Sequence, residues 1–168
     1  RQRREIQDAH ERSVIGSFKK HLEDAGRALT VISHPDPPDA VVEVDNQLTW
    51  LEITDAFIGP DFARSLTSYA ADEMEHIPTE RKAIRDPDAR FSDVVQPVVE
   101  KKYASTSIGN IYKKSGAGVL LVGLFSPFVG EPERDELIQC LSEMRRQGDG
   151  RFKEIYVYDQ SHSFYQVP

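Results

Sequence analysis

Pro38-Asp39-Ala40-Val41-Val42-Glu43-Val44-Asp45-Asn46-Gln47-Leu48-Thr49-Trp50-Leu51-Glu52-Ile53-Thr54 is the stretch whose reading decides the fold. Two runs rich in apolar and β-branched residues, 40–44 and 48–54, flank the turn-prone Asp45-Asn46-Gln47, the pattern of a β-hairpin. With a two-residue loop at Asp45-Asn46, Asp39 falls directly opposite Glu52. A three-residue loop makes the pair diagonal and still within reach. Directly opposed residues have Cβ atoms roughly 4.5–5.5 Å apart, close enough for both carboxylates to bind one ion. Apolar residues surround both acids, and an ionised carboxylate in such surroundings needs a cation, a donor or cleft solvent to offset its desolvation. A hard cation such as Mg²⁺, typically held by one or two carboxylates plus waters, meets that need.

Upstream, residues 4–24 read as an amphipathic helix with Ile15, Phe18 and Leu22 at spacings of three and four. Four residues back from Ile15 stands Glu11, on the buried face at its N-terminal end. The same spacing also allows the face to end there, with Glu11 at its wet edge. Gly26 is a helix stop and residues 28–33 read as a strand. Pro35-Asp36-Pro37-Pro38 cannot join a central ladder and serves as a rigid approach to Asp39.

Downstream, residues 61–77 carry a helical pattern, and polar, proline-containing residues 78–91 read as a mobile loop near the site. Pro97 suits the first turn of a helix that runs to about Tyr112. On it Val94, Val98, Lys101, Ile108 and Tyr112 share one stripe, which turns Lys101 toward the sheet and leaves Lys102 with Val95 and Val99. Val119-Leu-Leu-Val-Gly-Leu-Phe125 is a continuous apolar run, the mark of a strand covered on both faces. A helix over 133–147 and strands over 155–158 and 163–167 complete the chain. The order is helix, three strands, helix, helix, strand, helix, two strands: an α/β domain with a mixed central sheet flanked by helices.

Composition narrows the function. With 168 residues and 39% hydrophobic content, one domain spanning 1–168 can bury a real core. At 29% charged, with no apolar run near the roughly 18 residues of a membrane span, we expect a soluble, cytoplasmic protein without membrane association. The chain begins at Arg1 rather than methionine, so residues before it are expected. Cys140 is the single cysteine, which excludes an internal disulfide, and its amphipathic setting reads as core. The net charge of −7 argues against a general affinity for polyanions and leaves only local basic patches: Arg1-Gln-Arg3-Arg4, Lys19-Lys20, Lys101-Lys102 and Lys113-Lys114.

In this order of elements, with Pro38-Asp39 as first half-motif and Glu52-Ile53-Thr54 as second, residues 4–125 resemble the PD-(D/E)XK nuclease superfamily. Glu11 matches the acid that many members carry on the first helix, and the closest likeness is to bacterial branches whose second half-motif reads Glu-x-Thr. The resemblance implies a restriction-endonuclease-like αβββαβ core and metal-dependent hydrolysis of phosphodiesters in nucleic acid, with DNA as the expected partner at a local basic patch and a homodimer as the working state. It further implies Mg²⁺ or Mn²⁺ on Asp39, Glu52 and the Ile53 carbonyl, with Glu11 as a direct or water-mediated ligand. The departure is Thr54, which stands where the superfamily usually has lysine. Thr54 shares the face of Glu52, but its hydroxyl can only orient a water or a ligand. Some members recruit the lysine from the helix after the meander, where this chain has Lys101 and Lys102. Gln96 of that helix, His34 before the proline segment and Asp55 after the motif are candidate outer contacts, each with an ordinary structural alternative. The other function class is a catalytically inactive nuclease-fold module for binding or assembly. A third is an acidic interaction protein of unrelated α/β fold, in which Asp39 and Glu52 meet by accident.

Overall fold

The apolar run at Gly118–Phe125 (β4) is buried along nearly its whole length, between parallel partners Gln47–Phe57 (β3) and Phe152–Tyr158 (β5). A computed structural model of the protein describes residues 2–57, 91–125 and 131–168. Leu29–Ser33 (β1) and Ala40–Val44 (β2) add antiparallel strands beyond β3, and Phe164–Gln166 (β6) adds one beyond β5. The six strands therefore lie in chain order, in one mixed sheet.

Period-two alternation divides the core. Val119 and Leu121 face one side, where they pack with Leu51 and Ile53 under the helix Gln2–Asp24 (α1). Leu120, Val122 and Leu124 face the other, with Trp50, Ala56 and side chains of Phe91–Ala104 (α2), Thr106–Ser115 (α3) and Glu131–Gln147 (α4). The expected α/β class, with helices flanking a mixed sheet, is observed.

α1 is anchored by its C-terminal half. Val14, Ile15, Phe18 and Leu22 are buried, each contributing about 1.5–3 kcal/mol, whereas residues 3–9 are exposed on every side. Gly26 ends the helix at φ 77°, with Arg27 N–H donating to the Leu22 carbonyl. The β2–β3 turn has the two-residue form, with Asp45 and Asn46 both at positive φ and Val44 opposite Gln47. Asp45 accepts from Ala28 N–H and Arg27 Nε, bonds that hold its carboxyl below the usual range.

One expected helix is two. The helix expected over 97–112 begins at Phe91 and breaks at Ser105, whose side chain accepts from Ile108 N–H and caps α3. Pro97 lies inside α2 rather than at its start. The helix expected over 61–77 lies outside the described residues, as does the loop expected over 78–91 except for Phe91, which opens α2. No described helix is long and apolar enough to cross a membrane.

Gly118 lies flat against the Trp50 indole, where any Cβ would overlap the ring. Gly118→Ala is expected to destabilise the fold by about 1–3 kcal/mol through overpacking, read as a lower midpoint in urea unfolding.

Candidate functional site

Strand pairing between β2 and β3 ends at Ala40 and Leu51, yet β3 continues to Phe57. Extending the register by one position sets Asp39 opposite Glu52, as the two-residue turn requires. Side chains now do what the ladder did. Ile53 N–H donates to Asp39 Oδ2 at 2.7 Å, and Asp39 N–H donates to Glu52 Oε1 at 3.2 Å. Each acid thus satisfies a backbone donor that the ladder leaves behind. Asp39 and Glu52 are both buried, Glu52 at 5% exposure.

The third member comes from α2. Lys102 Nζ donates to Glu52 Oε2 at 2.7 Å, with the lysine side chain 27% exposed and the glutamate 6%. Lys101, the lysine favoured by periodicity, is exposed. Its stripe joined Val94 and Val98 to Ile108 and Tyr112 across the break at Ser105, where helical phase is not carried over. Among the described side chains of α2 the fully buried positions are Val95 and Val99, and Lys102 continues their stripe.

The pair lacks charge balance. Burial, then repulsion from Glu52, push the Asp39 carboxyl up to about 8, against the opposing hydrogen bond from Ile53 N–H. Glu11, half-buried on α1, is close enough to add to this repulsion, and its own carboxyl is raised by burial and by Asp36, Asp8 and Glu52. Glu11 also accepts from Gln7 Nε2 at 3.3 Å. Thr54 is half-buried, on the Glu52 face of β3. Among the described residues, no group of three or more His, Cys, Asp or Glu side chains is arranged to hold a metal ion.

The outer candidates divide. His34 Nδ1 lies 3.1 Å from the Asp39 carbonyl and ties down the proline segment. Gln96 is exposed and donates to Glu100 of the same helix. Asp55 belongs to the other face of β3, where its Oδ2 lies 2.8 Å from His10 Nε2 and its Oδ1 accepts from the Tyr158 hydroxyl. Burial and Asp55 push the Tyr158 phenol well above its usual range, so it remains the donor. Gly123 makes room for this contact, since a Cβ there would overlap both Asp55 and Tyr158. Ser17 Oγ and His162 Nδ1 lie 2.7 Å apart beside it, and the His162 ring meets that of Tyr158 edge-on. Sequence reading missed this cluster because its members span positions 10 to 162, with no local spacing to link them.

No family model matches the chain, and no curated protein or solved structure matches it either.

The raised Asp39 value carries a stability sign. Between its ordinary 3.8 and about 8, the folded state keeps a proton that the unfolded chain has released, so Asp39's contribution is complete at the acid end and lost as pH rises through about 8. The stability of wild type minus that of Asp39→Asn should therefore fall steadily across that interval in denaturant titrations. Glu52→Gln should lower the Asp39 midpoint, read by carboxyl carbon NMR, without restoring 3.8, because burial is the larger cause.

Proposed function

We propose that the protein is a metal-dependent nuclease that hydrolyses phosphodiester bonds, with DNA as substrate, at a site of PD-(D/E)XK type. The observation that carries this reading is Lys102 on Glu52, next to Asp39: the cation that the motif lacks at Thr54 arrives from the helix after the meander. The order α1, β1-β2-β3, α2, β4, with β3 and β4 parallel, supports an αβββαβ core to which α3 and the later elements are additions.

The donor set suits Mg²⁺ or Mn²⁺, since Asp39 and Glu52 offer hard oxygens and the proton held by Asp39 marks negative charge that a cation would offset. Asp39, Glu52 and the Ile53 carbonyl would hold it, with Glu11 nearby. When bound, it would polarise a phosphate oxygen and lower the pKa of a coordinated water. The protein's own groups do the rest. Asp39 would hold the metal as the carboxylate, and Glu52 fixes the backbone of Asp39 by accepting from its N–H. Lys102 supplies the positive charge for the extra negative charge of the pentavalent transition state. The Thr54 hydroxyl can orient a water on the face it shares with Glu52. Water would add to phosphorus and release its proton to solvent, the ester P–O bond would break, and the leaving oxygen would take a proton from solvent.

A second reading, an inactive nuclease-fold module for binding or assembly, is favoured by one observation. Lys102 already offsets Glu52, and no third acid among the described residues closes the site.

Cleavage of plasmid, linear and single-stranded DNA with Mn²⁺ tests the choice. Glu52→Ala should abolish cutting, and Lys102→Met should lower kcat on the order of a hundredfold or more, whereas Lys101→Met should stay within a few fold of wild type. Cutting that survives Glu52→Ala would sink the site. No Mn²⁺ binding at millimolar concentration would instead favour the inactive module.

A further inference from the structure

The buried guanidinium of Arg151 reaches the main chain of Lys102 itself. Its Nη1 donates to the Lys102 carbonyl at 3.1 Å and to the Ser105 carbonyl at 3.0 Å. Its Nε donates to Asp149 Oδ1 and Oδ2 at 3.1 and 3.2 Å, and Nη2 to Oδ2 at 3.0 Å. The arginine side chain is only 10% exposed, so this fork is held rather than sampled. Its backbone is pinned as well, with Arg151 N–H on Asp149 Oδ1 and its carbonyl accepting from Gly118 N–H.

The two carbonyls stand at the α2–α3 junction: that of Lys102, in the last turn of α2, also accepts from Ser105 N–H at 3.4 Å, and that of Ser105, the cap of α3, also accepts from Gly109 N–H at 3.0 Å, so the guanidinium takes up remaining acceptor capacity on each. Gly109 in α3 lets that helix close over the guanidinium, since a Cβ there would press on Nη2. From the same last turn of α2, the Lys102 side chain reaches Glu52. A long, flexible ammonium side chain keeps one target only when its stem is fixed.

We propose that Arg151, oriented by Asp149, is a positioning residue that aims Lys102 at the acid pair, so that Gly148-Asp149-Gly150-Arg151 is part of the site's support as well as a helix stop. The aim of Lys102 matters for catalysis only if the nuclease reading holds, but the aiming itself is measurable without metal or nucleic acid. The experiment follows the Lys102 ammonium by ¹⁵N NMR in lysine-labelled, metal-free protein, assigned by its loss in Lys102→Met. In wild type the signal should be slow to exchange and should move in Glu52→Gln. Arg151→Lys, which keeps the charge and loses the fork, and Asp149→Asn should each speed ammonium exchange on the order of tenfold, as loss of a charge-assisted bond implies. Arg27→Lys, at the Arg27–Asp45 pair of the hairpin, is the control for general loosening. A Lys102 signal unchanged in Arg151→Lys or Asp149→Asn despite a lower Tm would make Arg151 a structural staple and overturn the proposal. So would equal acceleration in Arg27→Lys. Should Arg151→Lys fail to fold, Asp149→Asn decides alone. A protein that cuts no DNA yet shows these shifts would refute the nuclease reading and leave the aiming intact.

Discussion

Two carboxylates are buried at the point where β2 leaves β3, and the architecture around them answers the cost of that burial. Beyond Ala40 and Leu51 the ladder has no further pairs, so two amide groups near the departing strand need acceptors. Asp39 and Glu52 supply them, which removes the polar cost of the backbone and replaces it with an electrostatic one. A proton on Asp39, favoured by its raised pKa, and the ammonium of Lys102 on Glu52 both act against that second cost. The local constraint therefore reaches outward. It demands a cation from α2, a seat for α2 on Trp50 and its neighbours, and a clamp at the end of α2.

The opposite face of β3 is handled differently. Asp55, three residues on from Glu52, is met by a neutral phenol and a histidine rather than by an ammonium. Its partners come from α1 and β5, so the contact ties the exposed first half of α1 to the sheet just where its apolar anchoring stops. Glu11 follows His10 directly on the same helix. One strand thus carries an acid on each face: Glu52 linked to a cation, Asp55 used to fasten a helix.

Much of this was legible in the residues. The Asp45-Asn46 turn set the register of Asp39 against Glu52, and the apolar run of β4 announced a strand covered on both sides, because both signals are local. The exchange of Lys101 for Lys102 shows where such signals fail. The stripe that favours Lys101 runs through Ser105, and the cap made by the Ser105 side chain, which accepts from Ile108 N–H, restarts the helical phase there. Arg151 could not be read at all. Its partners at Lys102 and Ser105 are main-chain carbonyls more than forty residues away, and no side-chain pattern marks a carbonyl acceptor. The cluster of His10, Asp55, Tyr158 and His162 was hidden for the related reason that sheet order, not spacing, brings it together.

The two-residue turn at Asp45-Asn46 acts as a measuring stick. It lies about five residues, on the order of 17 Å, from the acids, far outside any contact with them, yet the strands transmit its length without loss. An insertion that shifts the facing positions by a step would bring Asp39 against Leu51 or Ile53, on the other face of the sheet from Glu52, and a three-residue loop that keeps the two acids within reach would still trade direct opposition for a diagonal. Hairpin tips ordinarily tolerate changes of length better than any other part of a sheet. In this chain the tip is bound to the chemistry of the far end, so length there should be as restricted as identity at Asp39 and Glu52.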